Sequence, residues 1–336
     1  MKQLRETNSK NSWGKKYNRG MNRLIIIDGN AILHRAFHAL PPLTAPDGTL
    51  TNAVYGFTSM LIRLMFDLTP TYIAVAFDRP KPTFRKKLFK DYQIKRPKMD
   101  EGLAAQFPMV HDVLSAMHIP IFEQDGFEAD DVIGTLCKNK PKTIDQVIIV
   151  TGDRDLLQLV TDTTKAYMPT KGLSEAKLYG PAETKERLGV DPTQIPDYKA
   201  LAGDQSDNYP GVPGIGPKTA IELIKNYQTI EFLYKALDKN KVEISDGLKE
   251  KLTKNKDLAI LSKTLATIRT DILMDTRVAP LKKEQLKTAE VMKQFELLGF
   301  TSLMKRLLGD GKAQTKGTQK KNEEQKRVVD EQMSLV

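Results

Sequence analysis

The chain has 336 residues, 40% of them hydrophobic and 28% charged, enough for one large domain or two modest ones with real cores. A formal charge of +10 favours polyanionic partners, nucleic acid before anionic membrane. The lone cysteine, Cys137, excludes an intrachain disulfide; no window approaches the roughly 18 apolar residues of a membrane span, and no apolar leader opens the chain, so the expected address is the cytoplasm.

In chain order, residues 1–21 read as a disordered basic arm. The run Arg23-Leu24-Ile25-Ile26-Ile27-Asp28 is apolar, β-branched and closed by an acid, which predicts a buried parallel strand. Helical spacing follows over 52–67. Tyr72-Ile73-Ala74-Val75-Ala76-Phe77 is a second apolar run, ending at Asp78. From Arg79 to Lys98 come Arg79, Lys81, Arg85, Lys86, Lys87, Lys90, Lys95, Arg96 and Lys98, against the single acid Asp91, with Phe84, Phe89 and Tyr92 interleaved. Such a run is ordinarily a solvated face. Directly after a strand that ends in an acid it reads as a phosphate-gripping element, whose aromatics either stack on unpaired bases or anchor it to the core. Helical spacing returns over 101–117 and 128–138. Between them Ile119-Pro120-Ile121-Phe122 leads toward Glu128. Cys137 falls in the apolar pattern of the later segment and reads as a buried structural thiol. Gln146-Val147-Ile148-Ile149-Val150 ends at Thr151-Gly152-Asp153. Strands alternating with helices over 22–190 predict an α/β core around a mostly parallel sheet.

Beyond that the strand signal fades, and 191–308 is predicted to be mainly helical. The turn Gly211-Val212-Pro213-Gly214-Ile215-Gly216 precedes Pro217-Lys218-Thr219-Ala220 and a helical pattern. A P-loop is excluded, because Pro217 separates Gly216 from Lys218 and no buried strand precedes it. A helix-hairpin-helix near 203–226 fits better. Its glycines, Gly214 and Gly216 among them, let backbone amides approach a phosphate, and the following helix N-terminus at Lys218 and Thr219 attracts it. Such a turn grips duplex without reading sequence; the plain alternative is an ordinary helix–helix turn. Residues 309–336 lose apolar periodicity and read as a flexible tail.

The strongest signal is acidic. Asp28, Asp78, Glu128, Asp130, Asp131, Asp153, Asp155, Asp204 and Asp207 lie at or near the ends of successive runs. In open α/β sheets that edge is where ligands bind. Each acid alone could be a helix cap. Together on one edge they would repel, and divalent metal is the economical compensation. Oxygen ligands with no histidine or cysteine cluster favour Mg²⁺ or Mn²⁺. Two ions about 3.5–4 Å apart can hold a scissile phosphate, activate a water and stabilise the leaving oxygen. The spacings Glu128–Asp131 and Asp204–Asp207 would share a face on a helix start.

Ile27-Asp28-Gly29-Asn30, Ala76-Phe77-Asp78, Glu128-Ala129-Asp130-Asp131-Val132-Ile133, Thr151-Gly152-Asp153-Arg154-Asp155-Leu156 and Ala202-Gly203-Asp204-Gln205-Ser206-Asp207-Asn208 resemble the motifs of the 5′→3′ exonuclease domain of bacterial DNA polymerase I, a relative of flap endonucleases. The resemblance covers about 22–308. It implies a PIN-like nuclease core and a two-metal site, with Asp28, Asp78, Glu128, Asp130 and Asp131 at one ion and Asp153, Asp155, Asp204 and Asp207 at the other. It implies a basic helical arch near 79–105 through which a single-stranded 5′ end passes, and a hairpin that holds the duplex and binds a monovalent cation. Arg85, Tyr92 and Arg96 match substrate-contacting positions, and Arg35 matches an arginine near the active site; Arg35, Arg85 and Arg96 are expected to orient or stabilise the phosphate. The family carries lysine directly after that tyrosine, whereas this chain has Gln93; either Lys90 or Lys95 substitutes for it, or the rate is reduced. His34 stands where tyrosine is common and is given no catalytic role.

The expected substrates are DNA with 5′ flaps or ends, and RNA primers. No polymerase region follows within the sequence, so a free-standing nuclease working beside a separate DNA polymerase is expected. Gln332-Met333-Ser334-Leu335-Val336 resembles a sliding-clamp docking peptide, although Met333 and Val336 replace more usual residues. Two rivals are a non-catalytic binder of branched DNA, for which Gln93 leaves room, and an RNA-cleaving enzyme of the toxin-like class, against which the hairpin and basic segment argue.

Overall fold

The computed structural model describes residues 20–171 and 175–309. The expected basic arm up to residue 19 and the tail from 310, with its clamp-docking segment Gln332–Val336, lie outside them.

Strand β1 (Arg23–Asp28) is buried at every position, because neighbours on both edges and helices on both faces leave it no wet side. It pairs in parallel with β2 (Tyr72–Ala76), register Leu24↔Tyr72, and with β4 (Gln146–Val150), register Leu24↔Val147. The short β3 (Ile121–Phe122) extends one edge in parallel. On the other edge β5 (Thr164–Lys171) runs parallel to β4, and β6 (Glu175–Tyr179) returns antiparallel to β5. The sheet order is β3-β2-β1-β4-β5-β6. The final hairpin was not foreseen. Its apolar residues, Ala166, Tyr167, Met168, Leu178 and Tyr179, are broken up by lysines and by Pro169 at a register shift, so no continuous apolar run announces it.

Alternation along the strands splits the core. Ile25, Ile27, Val75 and Ile148 face α1 (Gly29–Ala39), α2 (Asn52–Leu68) and α5 (Phe107–Ala116). Leu24, Ile26, Val147 and Ile149 face α6 (Ala129–Lys138) through Val132, Ile133 and Leu136. The expected helical arch over 79–105 is helical only at α3 (Phe84–Leu88) and α4 (Glu101–Ala104). Between them Gln93 sits at φ 56° and Pro97 removes a donor, so the chain turns instead of coiling.

After α7 (Pro181–Leu188) come α8 (Ile195–Ala202), α9 (Pro217–Tyr227), α10 (Ile230–Asp238), α11 (Asp246–Lys254) and α12 (Lys256–Ala266). They share a second apolar cluster that includes Val212, Ile215, Leu223, Leu233 and Leu252. The chain then returns to the first domain. Ile268 and Ile272 pack beside α6, and Gly134 faces the Arg269 carbonyl so closely that a Cβ there would stand 2.7 Å from it. Helices α13 (Ala289–Leu297) and α14 (Thr301–Leu308) place Val291, Phe295, Leu303 and Leu307 in the same cluster as Ile25 and Phe57. The helical span expected over 191–308 is thus two packing units. No helix among the described residues is long and apolar enough to cross a membrane.

Candidate metal centre and its basic rim

Strands β1, β2 and β4 each deliver an acid to this edge, held by backbone or hydroxyl donors. Asp28 caps α1, accepting the Ala31 amide at 3.0 Å and the Thr151 hydroxyl at 2.6 Å. Asp78 accepts the Ala129 amide at 2.7 Å, the start of α6, while its own amide donates to Asn30 at 2.9 Å. Asp153 accepts the Asp155 amide at 2.8 Å and donates its amide to Thr151. Asn30 and Thr151 therefore position this edge, and only their places inside the motifs Asp28-Gly29-Asn30 and Thr151-Gly152-Asp153 could have drawn attention to them.

Burial and like charge act on these groups together. Burial pushes Asp28 up to about 7, with Asp153 and Asp78 adding repulsion against the Thr151 and Ala31 bonds. Asp130 is held well above its ordinary value, first by burial and then by Asp153, Asp28, Asp155 and Glu128. Glu128 is pushed up to about 7 by burial, against the pull of Arg85. These acids need compensating positive charge.

A second group joins Asp155, at the start of the short 3₁₀ turn after β4, to Asp204 and Asp207 on the turn after α8. One carboxylate oxygen from each of Asp155, Asp204 and Asp207 lies within 4.8 Å of the others. Asp204 folds the turn by accepting the Ser206 amide at 2.7 Å and the Asp207 amide at 3.2 Å. Lys199, a residue that sequence reasoning missed, bonds both Asp155 and Asp204. Burial raises Asp155 to about 6 despite that lysine. In Asp204 the lysine and Ser206 outweigh burial and the carboxyl sits below its ordinary value. Lysine four residues before Gly203 on α8 is an unremarkable helix-face residue in sequence, so no signal singled it out.

Other expected site residues stand differently from one another. Asp131 is fully buried, and its two oxygens are taken up by neighbouring donors. Arg85 donates to its two oxygens at 2.6 and 2.8 Å, and the Arg269 amide adds a third bond at 2.8 Å. Its i,i+3 spacing from Glu128 makes a capping box, the Glu128 amide donating to it at 3.1 Å. Arg85, expected to meet the phosphate, is itself buried and also donates to the carbonyls of Leu265 and Thr267. Tyr92 is buried too. Its hydroxyl donates to Asp207 at 3.0 Å and is 3.2 Å from Glu128, and its ring stacks on Tyr209 at 6.4 Å. Arg96 reaches Asp207 at 2.6 Å from a half-exposed position. Lys90 and Lys95 are exposed. Arg35 lines a cavity of about 340 Å³ with His34, His38, Gly152 and Asp153. A second cavity, about 310 Å³, is lined by Asp78, Glu128, Tyr92 and Gln93 together with Arg79, Lys81, Lys86 and Arg96.

At the hairpin, Val212 and Ile215 are buried anchors, while Gly214, Gly216 and Lys218 are exposed and Thr219 is half-buried at the first turn of α9. Gly211 has φ 62°, and a Cβ there would meet the Gly203 nitrogen at 2.3 Å. That position can only be glycine. At Gly216 a Cβ would meet nothing within 4 Å.

Carboxylates crowded at the ligand-binding edge of a parallel sheet, facing a cationic rim, are what a phosphodiester-cutting α/β nuclease requires. The chain belongs to the 5′-3′ exonuclease family: the 5′-3′ exonuclease N-terminal resolvase-like domain matches residues 23–189, and the 5′-3′ exonuclease C-terminal SAM fold matches 190–289. It is 43% identical over 286 residues to DNA polymerase I of Bacillus subtilis, covering 85% of this chain and 32% of that protein. Against DNA polymerase I of Caldicellulosiruptor bescii the identity is 41% over 287 residues, covering 85% and 33%. The chain thus spans about a third of the length of these relatives. Its fold is similar to T5 5′-exonuclease with bound zinc, at TM-score 0.61 and 21% identity over 85% of this chain and all of that one. It is also similar to the catalytic core of Rad2 in complex with DNA substrate, at TM-score 0.54 and 18% identity over 86% and 92%.

Proposed function

We propose that the chain is a divalent-metal-dependent, structure-specific nuclease that hydrolyses phosphodiesters at DNA 5′ ends and flaps. The observation that carries this is the gathering of Asp28, Asp130 and Asp155, whose carboxyls are raised, around Asp153, beside the close trio Asp155, Asp204 and Asp207. The donor set is carboxylate oxygen throughout, which fits Mg²⁺ or Mn²⁺. Asp28, Asp78, Glu128, Asp130 and Asp153 would hold one ion, and Asp155, Asp204 and Asp207 the other, with Asp131 acting through its bond to Glu128. When bound, the two ions supply a water of lowered pKa and stabilise the leaving oxygen.

The chain's own residues do the rest. Thr151 and the amides of Ala31 and Ala129 hold Asp28 and Asp78 in place before substrate arrives. Arg96 and Arg35 flank the edge from two cavities and would orient phosphate oxygens. Gly214, Gly216, Lys218 and Thr219 would grip duplex backbone, and that hairpin's carbonyls could hold a monovalent cation. The relatives are polymerases and the T5 neighbours include a flap endonuclease complexed with DNA and metal ions, which supports DNA replication and repair as the setting and DNA as the substrate, with RNA primers as a further one.

The test is cleavage of a 5′-labelled flapped duplex with Mg²⁺. We expect cutting near the junction, abolished by EDTA and reduced at least ~100-fold in Asp153→Ala. Tight flap binding with no cutting in Mg²⁺ or Mn²⁺ would instead make the chain a binder of branched DNA.

A further inference from the structure

The cavity of about 310 Å³ beside Asp78 and Glu128 is rimmed by four cations, and three of them are already matched. Arg79 pairs with Asp125 at 2.6 Å and with Glu123 at 3.2 Å. Lys81 pairs with Asp125. Arg96 pairs with Asp207 at 2.6 Å. Lys86 alone among these lining residues has no carboxylate partner; its ammonium donates to the Tyr92 carbonyl at 2.8 Å. That bond fixes the charge at the residue preceding Gln93. Gln93 lines the same cavity but carries no charge, and its amide is turned to Asp207 at 3.2 Å. Lys90 and Lys95 do not line the cavity at all.

We propose that Lys86 is a phosphate-contacting cation of this cleft, beside Arg96. Its ammonium pairs with a non-bridging oxygen of the phosphate that enters between Asp78 and Glu128, and supplies there the positive charge that Gln93 cannot. A backbone carbonyl is a suitable tether for that task. It aims the ammonium without neutralising it, so the charge remains available to an anion. Paired rim arginines have to give up a carboxylate first. The inference rests on the nuclease reading above.

Steady-state cleavage of the flapped duplex in Mg²⁺ by the full chain tests it, comparing Lys86→Gln, Lys86→Arg and the double variant Lys86→Gln/Gln93→Lys. Lys86→Gln is expected to lower kcat between about 10- and 1,000-fold, as loss of one transition-state charge does, with KM changed by less than about threefold. Lys86→Arg should stay within about tenfold of wild type. The added lysine at position 93 should recover most of the loss, because it faces the same cavity; a role limited to holding the Tyr92 carbonyl would not be rescued from a different residue. Wild-type rates in Lys86→Gln, a loss confined to KM, or a loss that the second lysine fails to recover would each overturn the proposal. If the unaltered chain fails to cut while binding flaps tightly, the nuclease reading falls, and this assignment with it.

Discussion

At the scale of single residues, the Arg85–Asp131 pair carries the clearest consequence. Both side chains are buried, and the guanidinium satisfies two carboxylate oxygens and two carbonyls at once. Removing one partner of such a pair strands the other without counter-charge. Arg85→Ala should therefore cost about 3–5 kcal/mol of stability, and Arg85→Lys should recover only part of it, since an ammonium cannot copy the planar fork. Urea unfolding checks this, and a wild-type midpoint in Arg85→Ala would contradict it. The sequence pointed Arg85 toward the substrate because it matches a substrate-contacting position of the resembled family within a basic run. Nothing in that run distinguishes the one arginine whose helix turns it inward. Cys137 is simpler: it is free and half-buried, and burial pushes its thiol up to about 12, which makes it a poor nucleophile.

At the scale of elements, the hairpin separates two kinds of glycine. Gly211 is required by its own backbone and by the approach of Gly203, so Gly211→Ala should destabilise the fold by about 1–3 kcal/mol. Gly216 faces open space with ordinary φ, so Gly216→Ala should leave stability within about 0.5 kcal/mol. If duplex backbone docks there, the same methyl group stands in its path, and affinity for flapped duplex should fall by about tenfold. Thermal melting and fluorescence anisotropy on the two variants check both statements. Unchanged affinity in Gly216→Ala would leave the element an ordinary helix–helix turn. The glycine pattern was legible in sequence, but which glycine serves the fold and which the ligand depended on what lies beside each Cβ.

At the scale of the whole molecule, the acid edge should govern stability. Ordinary carboxyls titrate near pH 4, whereas burial holds Asp28 and Glu128 up to about 7 and Asp155 up to about 6. Between those limits the folded chain keeps protons that the unfolded chain has released. Metal-free stability contributed by these groups therefore rises as pH falls from about 7 toward 4, and is lowest above 7. Exposed carboxyls held down by arginine, such as Asp275 at about 2, act in the opposite sense only below that window. Metal reverses the upper limb, because it binds the deprotonated acids, and at about 100 times its Kd one site contributes about 2.7 kcal/mol. Melting in EDTA should give a higher midpoint at pH 5.5 than at pH 8, and Mn²⁺ should raise the midpoint more at pH 8. An equal Mn²⁺ effect at both pH values would mean that these acids do not form the site.

The sequence by itself determined the parallel strands β1 to β4, the acids that follow β1, β2 and β4 and the glycine turn, because buried β-branched runs and left-handed backbone leave few alternatives in local chemistry. Asp28, Asp78 and Asp153 could be placed from the strands they follow, whereas Asp204 and Asp207, on the turn after α8, have no strand end to place them. Only the tertiary structure decided their partners. Lys199 bridges Asp155 and Asp204 from α8, Asp131 turns into Arg85, and α13 and α14 close the first core after a long excursion. These contacts join residues far apart in the chain, and their energies depend on burial and distance, which no local pattern encodes.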